Sequence, residues 1–173
     1  MPRLRKSKLD TIESDALGQA LRVNDDPTVL HLERVLDAPP ERIYAAWTDP
    51  ALLRRWWAAA PGWTTPEATT DVRVGGAYRL SMRGTDGIVR TVVGEYLEVD
   101  PPRRLVYTWK WVSSEYPAPD DGVTVVSVDF IAEGTATRVV LEQRDHHDEA
   151  GRDSHGRGWR GCLDSLERLL ASG

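Results

Sequence analysis

The sequence predicts an α+β domain in which a curved antiparallel β-sheet wraps around a long C-terminal α-helix. Residues 158–170 repeat apolar side chains at helical spacing, with charged side chains between them. Residues 71–143 instead alternate apolar and polar side chains, which is the period of half-buried strands. Two short segments that begin with proline separate the first predicted strand from this meander. Each strand and the helix have an apolar face to bury, so we expect the helix to lie across the sheet.

The C-terminal helix is predicted over residues 158–170. At about 1.5 Å per residue, its apolar stripe spans roughly 20 Å and crosses one face of a small sheet. Three glycines lie near its start, and a glycine inside a helix costs about 1 kcal/mol relative to alanine. We therefore expect either another segment that approaches closely or an open space beside them. The stripe consists of Trp159, Cys162, Leu163, Leu166, Leu169 and Leu170, and the glycines are Gly156, Gly158 and Gly161.

The N-terminal third predicts an extension, one strand and two short helices. Residues 1–27 are an extension that forms a short helix or is partly disordered, and residues 28–173 form the domain. The first strand covers residues 28–36. A first helix from Glu41 to Trp47 follows a pair of prolines, and a second starts at Pro50, behind Asp49 as its N-cap.

The meander after residue 70 is predicted to contain five or six strands separated by turn sequences. A polar, proline-containing loop over residues 113–122 interrupts it. The pair Gly75-Gly76 inside its first strand predicts a bulge or a sharp bend. The neighbouring Asp71 and Arg73 are interpreted as an ion pair that pins this bulge, with a polar contact at the pocket rim as the alternative. The turns are predicted at Asp86-Gly87, Asp100-Pro101-Pro102 and Glu133-Gly134.

The composition indicates one globular domain and excludes several classes of protein. The chain of 173 residues has one cysteine, which precludes an internal disulfide. No apolar run approaches the ~20 residues of a membrane span, and no apolar segment follows the basic N-terminus as in a secretion signal. The net charge of −5 argues against non-specific nucleic-acid binding. We expect a cytoplasmic protein with neither nucleic acid nor membrane as partner.

The aromatic residues are unusual, with seven Trp and five Tyr but a single Phe. Trp and Tyr combine a large apolar area with a polar group that needs a partner, so they suit the wall of a partly wet pocket. They also suit a core in which the indole N–H reaches a backbone carbonyl, and the sequence does not decide between these two. Trp56, Trp57 and Trp63 surround Pro61-Gly62 and predict either a cavity mouth or a seal over the core.

The polar stretch over residues 145–149, with Asp153 and His155 soon after, is the one segment that suggests chemistry. Adjacent loop side chains diverge, so they do not predict a metal site, which needs three or four converging ligands. No nucleophile is spaced to work with a histidine base. We interpret the stretch as a solvated loop that leads into the helix, with Asp153 or Ser154 as N-cap. Cys162 is expected to be a small buried apolar residue.

Four ordered motifs resemble a known family. They are DAPPERIYAAWTDPALLRRWW, DVRVGGAYRLSMRGTDG, GEYLEVDPPRRLVYTWKW and HGRGWRGCLDSLERLL. Together, over about residues 28–170, they resemble the bacterial branch of the family named for the activator of heat-shock protein 90 ATPase homologue. That family lies within the START-like, birch-pollen-allergen-like helix-grip superfamily, often called SRPBCC. The resemblance implies a sheet that grips the C-terminal helix around a cavity, which in many members takes an apolar or aromatic molecule.

The leading functional hypothesis is the non-catalytic binding of a small apolar or aromatic molecule between the sheet and the helix. No catalytic residue, metal or cofactor is predicted. A homodimer formed by edge-strand pairing is left open. The predicted ligand-binding residues are the bulky inward positions of the strands and helices: Trp56, Trp63, Tyr78, Leu80, Met82, Tyr107, Trp109, Trp111, Phe130, Trp159 and Leu163.

Two alternative functions remain open from sequence. The first is an enzyme of the polyketide cyclase or aromatase type, with Tyr78, Tyr107, Glu95 or Gln143 as the proton-moving groups. The second is a protein-interaction module that resembles the chaperone activator. The family's namesake carries an additional N-terminal domain to grip its chaperone, and residues 1–27 are too few to supply one. The fold alone does not decide between these functions.

Overall fold

The computed structural model describes residues 26–112 and 122–173. The described chain contains seven strands and three helices, so the α+β prediction is confirmed. The predicted N-terminal helix and almost all of the polar loop over 113–122 lie outside the described residues. The elements are β1 (Leu30–Leu36), α1 (Pro40–Thr48), α2 (Pro50–Trp56), β2 (Thr64–Thr70), β3 (Ala77–Arg83), β4 (Val89–Asp100), β5 (Arg104–Trp111), β6 (Thr124–Glu133), β7 (Ala136–Arg144) and α3 (Glu149–Ala171).

The seven strands form one antiparallel sheet in the order β1-β7-β6-β5-β4-β3-β2. β1 therefore pairs with the last strand of the chain, and the six strands from β2 onward pair with their neighbours in sequence. The meander was predicted to begin at Asp71, so β2 was not predicted. This strand, TTPEATT, has no alternating apolar pattern and contains Pro66, which is tolerated because β2 is an edge strand.

The two short helices follow β1 as predicted, and their turn residues explain where they start. Pro40 and Pro50 each occupy the first turn of a helix, where the missing N–H costs nothing. The Asp49 carboxylate accepts a hydrogen bond from the Ala51 backbone N–H at 2.8 Å and caps α2. Ile43 and Trp47 are buried on the inner face of α1. The two helices thus close one end of the sheet.

The C-terminal helix is longer than predicted and begins at Glu149. Its N-cap is Asp148, whose carboxylate accepts a hydrogen bond from the Gly151 backbone N–H at 2.8 Å; the predicted cap at Asp153 or Ser154 was wrong. The interpretation of this stretch as a solvated loop was also wrong for two histidines. His146 and His155 are buried, at 3% and 6% exposure, with ring centroids 4.8 Å apart.

The core lies between the concave face of the sheet and α3. Leu163 and Leu166 of the helix pack there, and Leu105, Val128 and Leu141 of the central strands are fully buried. The buried phase of each strand faces the helix, as the alternating pattern predicted. The helix is therefore gripped by the sheet along its apolar stripe. No helix in the described part of the chain is both long and apolar enough to cross a membrane.

The turns fall close to their predicted places. Gly87 and Gly134 have positive φ angles of 79° and 62°, which glycine adopts without strain. Gly75, at φ 82°, lies in a turn just before β3, so the predicted bend is outside the strand and not a bulge within it. Arg73 Nε is 2.8 Å from the Asp71 carboxylate, as expected for the predicted ion pair. Both side chains are exposed, so this pair adds little stability.

Candidate ligand-binding cavity

A segment between α2 and β2 folds back over the first half of α3 and forms one wall of a cavity. At Gly161 this segment touches the helix backbone, since a Cβ atom there would overlap the carbonyl oxygen of Ala59. At Gly158 the segment lies farther from the helix: the nearest atom to a Cβ placed there would be the Ala59 Cβ, at 3.9 Å. The two glycines thus have different roles. Gly161 permits the close approach, and Gly158 leaves open space.

The open space is a cavity of about 240 Å³ between this segment, the inner face of the sheet and α3. Trp109 lies at the centre of its aromatic wall. The Trp109 ring centroid is 5.7 Å from that of Trp57, 5.5 Å from that of Trp159 and 5.4 Å from that of Trp111. The cavity is lined by Trp57, Ala59, Ala60, Trp63, Met82, Arg90, Trp109, Trp111, Ser154, His155, Arg157, Gly158, Trp159 and Cys162.

The indole N–H of Trp109 has no hydrogen-bond acceptor within residues 26–112 and 122–173, although the residue is only 4% exposed. Two of the neighbouring indoles are satisfied. Trp159 Nε1 donates to Gln143 Oε1 at 2.9 Å, and Trp111 Nε1 donates to His155 Nε2 at 3.1 Å. A buried donor without an acceptor costs about 1–3 kcal/mol. Among the described residues that line the cavity, Trp109 is therefore the one with a fully buried donor that has no acceptor.

His155 is held in one neutral tautomer by two contacts. Its Nδ1 lies 2.9 Å from the Gly151 carbonyl oxygen, which accepts only if Nδ1 carries the proton. Its Nε2 then accepts the hydrogen bond from the Trp111 indole. Because both ring nitrogens are engaged, the imidazole has no lone pair left for a ligand. His155 thus positions Trp111 in the cavity wall.

The charged groups at the cavity are both guanidinium groups. Arg90 lies 4.6 Å above the Trp63 ring and forms an ion pair with Asp86 at 2.8 Å. Arg157 projects from α3 and is exposed. None of the described residues that line the cavity is acidic. The described lining therefore contributes positive charge only, although the chain as a whole carries a net charge of −5.

A second, much smaller cavity of about 20 Å³ lies beside three packed tyrosines. The Tyr78 hydroxyl donates to the Thr108 carbonyl oxygen at 2.5 Å, and the Tyr107 hydroxyl accepts from Trp47 Nε1 at 3.1 Å. Burial raises the pKa of Tyr78, Tyr96 and Tyr107 well above the ordinary value of 10.0. These phenols therefore remain protonated at neutral pH and cannot act as bases.

The other polar side chains considered for catalysis, Glu95 and Gln143, do not line the cavity. Glu95 is exposed and lies on the outer face of the sheet, by a shallow groove, and not over the core. Gln143 is fully buried and bridges Thr124 and Trp159 through hydrogen bonds of 2.8 and 2.9 Å. Burial raises the pKa of the Cys162 thiol to about 12, so Cys162 is a protonated, buried side chain, as expected. The described residues hold no cluster suited to a metal ion.

The structure distributes the eleven predicted ligand-binding residues over three places. Five line the larger cavity, three line the small one beside the tyrosines, and three lie in the surrounding core without lining either. These groups are, in that order, Trp63, Met82, Trp109, Trp111 and Trp159; Tyr78, Leu80 and Tyr107; and Trp56, Phe130 and Leu163.

Several cavity residues were not predicted from the sequence. Trp57 belongs to the predicted tryptophan cluster but not to the predicted ligand-binding set, and the sequence pattern did not single out Arg90. His155 was grouped with the polar stretch that was interpreted as a solvated loop leading into the helix. Its spacing of four residues from Trp159 and seven from Cys162 was the signal that could have placed it on the same helix face.

Comparison with known proteins supports the fold and identifies the family. A protein of Chromobacterium violaceum is 28% identical with a TM-score of 0.73, covering 84% of this chain and 98% of its own. A Silicibacter pomeroyi protein described as AHSA1 is 28% identical with a TM-score of 0.71, covering 83% and 97%. A Nitrosomonas europaea protein is 26% identical with a TM-score of 0.70, covering 86% and 97%.

A search among curated proteins finds no match. The profile of the family described as "Activator of Hsp90 ATPase homolog 1-like protein" matches residues 37–171, which is most of the chain. This range runs from the end of β1 to the last residue of α3 and includes every residue that lines the cavity. The chain therefore belongs to the Activator of Hsp90 ATPase homolog 1-like protein family.

Proposed function

We propose that this protein binds a small apolar or aromatic molecule in the cavity beneath α3 and does not catalyse a reaction on it. The observation that carries the proposal is the cavity of about 240 Å³ with an indole wall. Ligand pockets in proteins are typically about 300–1,000 Å³ and mainly apolar, with a few polar groups that orient the ligand. This cavity lies just below that range. It therefore suits a compact molecule of one or two fused rings better than a lipid chain.

The indole wall supports an aromatic ligand. The flat faces of Trp57, Trp109 and Trp159 would contact an aromatic ring on several sides. The shape of the wall thus favours a flat ring system over a flexible chain.

The non-catalytic part of the proposal follows from the state of the polar groups around the cavity. The ring nitrogens of His155 are both engaged, and burial keeps the Cys162 thiol protonated. The lining has no carboxylate among the described residues. General acid–base catalysis needs a group with a pKa near the working pH within reach of the substrate. The described lining offers no such group.

The test is calorimetric titration with 2-naphthamide, an uncharged two-ring molecule with a carbonyl acceptor. We expect saturable binding to the wild-type protein. Gly158→Leu would place a side chain inside the cavity and should weaken binding by at least about tenfold. Gly158→Ala adds one methyl group at ordinary contact distance and is the matched control, with nearly unchanged affinity.

Native mass spectrometry of freshly purified protein is the companion measurement, because it shows any molecule captured from the cell as a discrete added mass. Absence of both an added mass and 2-naphthamide binding would reject the proposal. Unchanged binding to a folded Gly158→Leu variant, with a native circular dichroism spectrum, would place the ligand elsewhere and also reject it.

A further inference from the structure

We propose that the natural ligand is an aromatic acid, with its ring against the tryptophans and its anionic group at the cavity mouth beside Arg157 and Ser154. This inference rests on the proposed function and names the class of ligand for the same cavity. The chain as a whole is acidic, with 27 Asp and Glu against 22 Lys and Arg. The described lining of the cavity nevertheless contains two arginines and no carboxylate. The described lining itself therefore supplies cationic groups and no anionic group.

The two arginines differ in what balances their charge. Arg90 is only 12% exposed and is neutralised by Asp86, to which both of its terminal nitrogens donate, at 2.8 and 3.3 Å. It also covers the Trp63 ring, so it acts mainly as part of the wall. Arg157 has no ion pair with any residue in the described ranges, and its guanidinium is the charge that a ligand can use. An anion at the mouth would give that charge a partner.

Ser154 stands next to Arg157 on the same helix face. Residues three apart on a helix are neighbours, so the Ser154 hydroxyl and the Arg157 side chain border the same side of the cavity. The Ser154 hydroxyl makes no hydrogen bond to another described residue. A guanidinium with an adjacent hydroxyl can together bind a carboxylate through charge-assisted hydrogen bonds. These two groups lie at the helix side of the space that the indoles border.

The geometry separates the two parts of the ligand. The indoles of Trp57, Trp109 and Trp159 are buried and present mainly apolar ring faces, which suits a ring. Arg157 is exposed and can keep a carboxylate in contact with water, so the anion would not have to be fully desolvated. A flat ring system with a carboxylate at one end fits both conditions. A long fatty acid does not, because the cavity is too small.

The test compares 2-naphthoate with 2-naphthamide, which have nearly the same shape but differ in charge at pH 7. We expect the wild-type protein to bind 2-naphthoate roughly tenfold more tightly, the size of one charge-assisted hydrogen bond. Arg157→Gln should remove this preference by weakening 2-naphthoate alone. Arg160→Gln is the matched control, since it removes the same charge from the same helix at a residue that does not line the cavity. The preference should also fall as salt is added.

Each result has a defined meaning. Equal binding of the two probes by the wild-type protein would overturn the aromatic-acid inference and leave the proposed function standing. A preference for 2-naphthoate that survives Arg157→Gln, or that Arg160→Gln removes equally, would show that Arg157 does not hold the anion. Binding of neither probe would overturn the inference, and together with the absence of an added mass in native mass spectrometry it would also overturn the proposed function.

Discussion

Gly158 and Gly161 are one helical turn apart on α3 but have opposite surroundings. At Gly158 an added methyl group meets only the Ala59 Cβ at 3.9 Å, an ordinary contact. At Gly161 the same methyl group would overlap the backbone carbonyl of Ala59, which cannot rotate away as the end of a side chain can. The sequence shows two similar glycines. Only the position of the segment before β2 distinguishes the one that packs from the one that borders the cavity.

We therefore expect alanine at these two positions to change stability in opposite directions. Gly158→Ala should raise the free energy of unfolding by up to about 1 kcal/mol, because alanine has the higher helix propensity. Gly161→Ala should lower it by about 1–3 kcal/mol, since the helix and the segment must move apart. Urea denaturation measures both values. Equal gains in stability for both variants would contradict the close contact at Gly161.

At the scale of the element, α3 contributes both to the hydrophobic core and to the cavity. Its second half carries the apolar stripe that was recognised from sequence, and its first half carries Ser154, His155 and Arg157, which line the cavity. That first half contains three glycines together with Asp153, Ser154 and His155, all of modest or low intrinsic helix propensity. Their helical state depends on the Asp148 cap and on tertiary contacts such as the burial of His155. Sequence patterns do not report such contacts.

The cap of α3 gives a prediction at this scale. Asp148→Ala removes the acceptor for the Gly151 N–H and should lower the free energy of unfolding by about 1 kcal/mol. It should also weaken binding of 2-naphthoate, because the turns that hold Ser154 and Arg157 fray. Asp148→Asn keeps a capping oxygen and should preserve both properties. Chemical denaturation and calorimetric titration measure them, and a loss in Asp148→Asn as large as in Asp148→Ala would argue against a capping role.

The environments of the strands explain why β2 was missed while β3 to β7 could be predicted from the sequence. Strands β3 to β7 alternate apolar and polar residues because one face packs on α3 and the other meets solvent. This alternation made them predictable from the sequence. β2 lies at the edge and pairs with β3 through an irregular register between Thr64 and Glu67. With few apolar contacts to make, its sequence carries no alternation. The missed strand is the one whose formation depends most on its neighbour.

At the scale of the whole molecule, the fold could be predicted more fully than the site. Periodicity identifies which face of an element is buried, and this located the core between sheet and helix. It does not reveal whether two buried faces meet or leave a gap. Phe130 and Trp109 both face inward on neighbouring strands, yet Phe130 packs against Tyr44 and Trp47 while Trp109 borders the cavity. The gap arises because the 57–63 segment does not touch α3 at Gly158. This separation depends on how two distant parts of the chain pack, which a local sequence pattern does not show.

The buried tyrosine cluster makes the stability of the whole domain sensitive to alkali. Burial raises the pKa of Tyr78, Tyr96 and Tyr107, so the folded state keeps these phenols protonated at a pH where the unfolded chain ionises them. The unfolded state therefore binds fewer protons above the ordinary tyrosine pKa of 10.0, and stability decreases as pH rises. Below pH 10 the same groups are protonated in both states and make no pH-dependent contribution.

We expect the free energy of unfolding to fall by about 1.4 kcal/mol per pH unit for each of these tyrosines above pH 10, or about 4 kcal/mol per unit for the three. Urea denaturation at a series of pH values measures the slope. Tyr96→Phe removes one ionisable group from the cluster and should reduce this slope by about one third. A slope that is the same in the variant, or tyrosinate absorbance from the cluster that develops while circular dichroism stays native, would show that these hydroxyls are accessible to water in the folded protein.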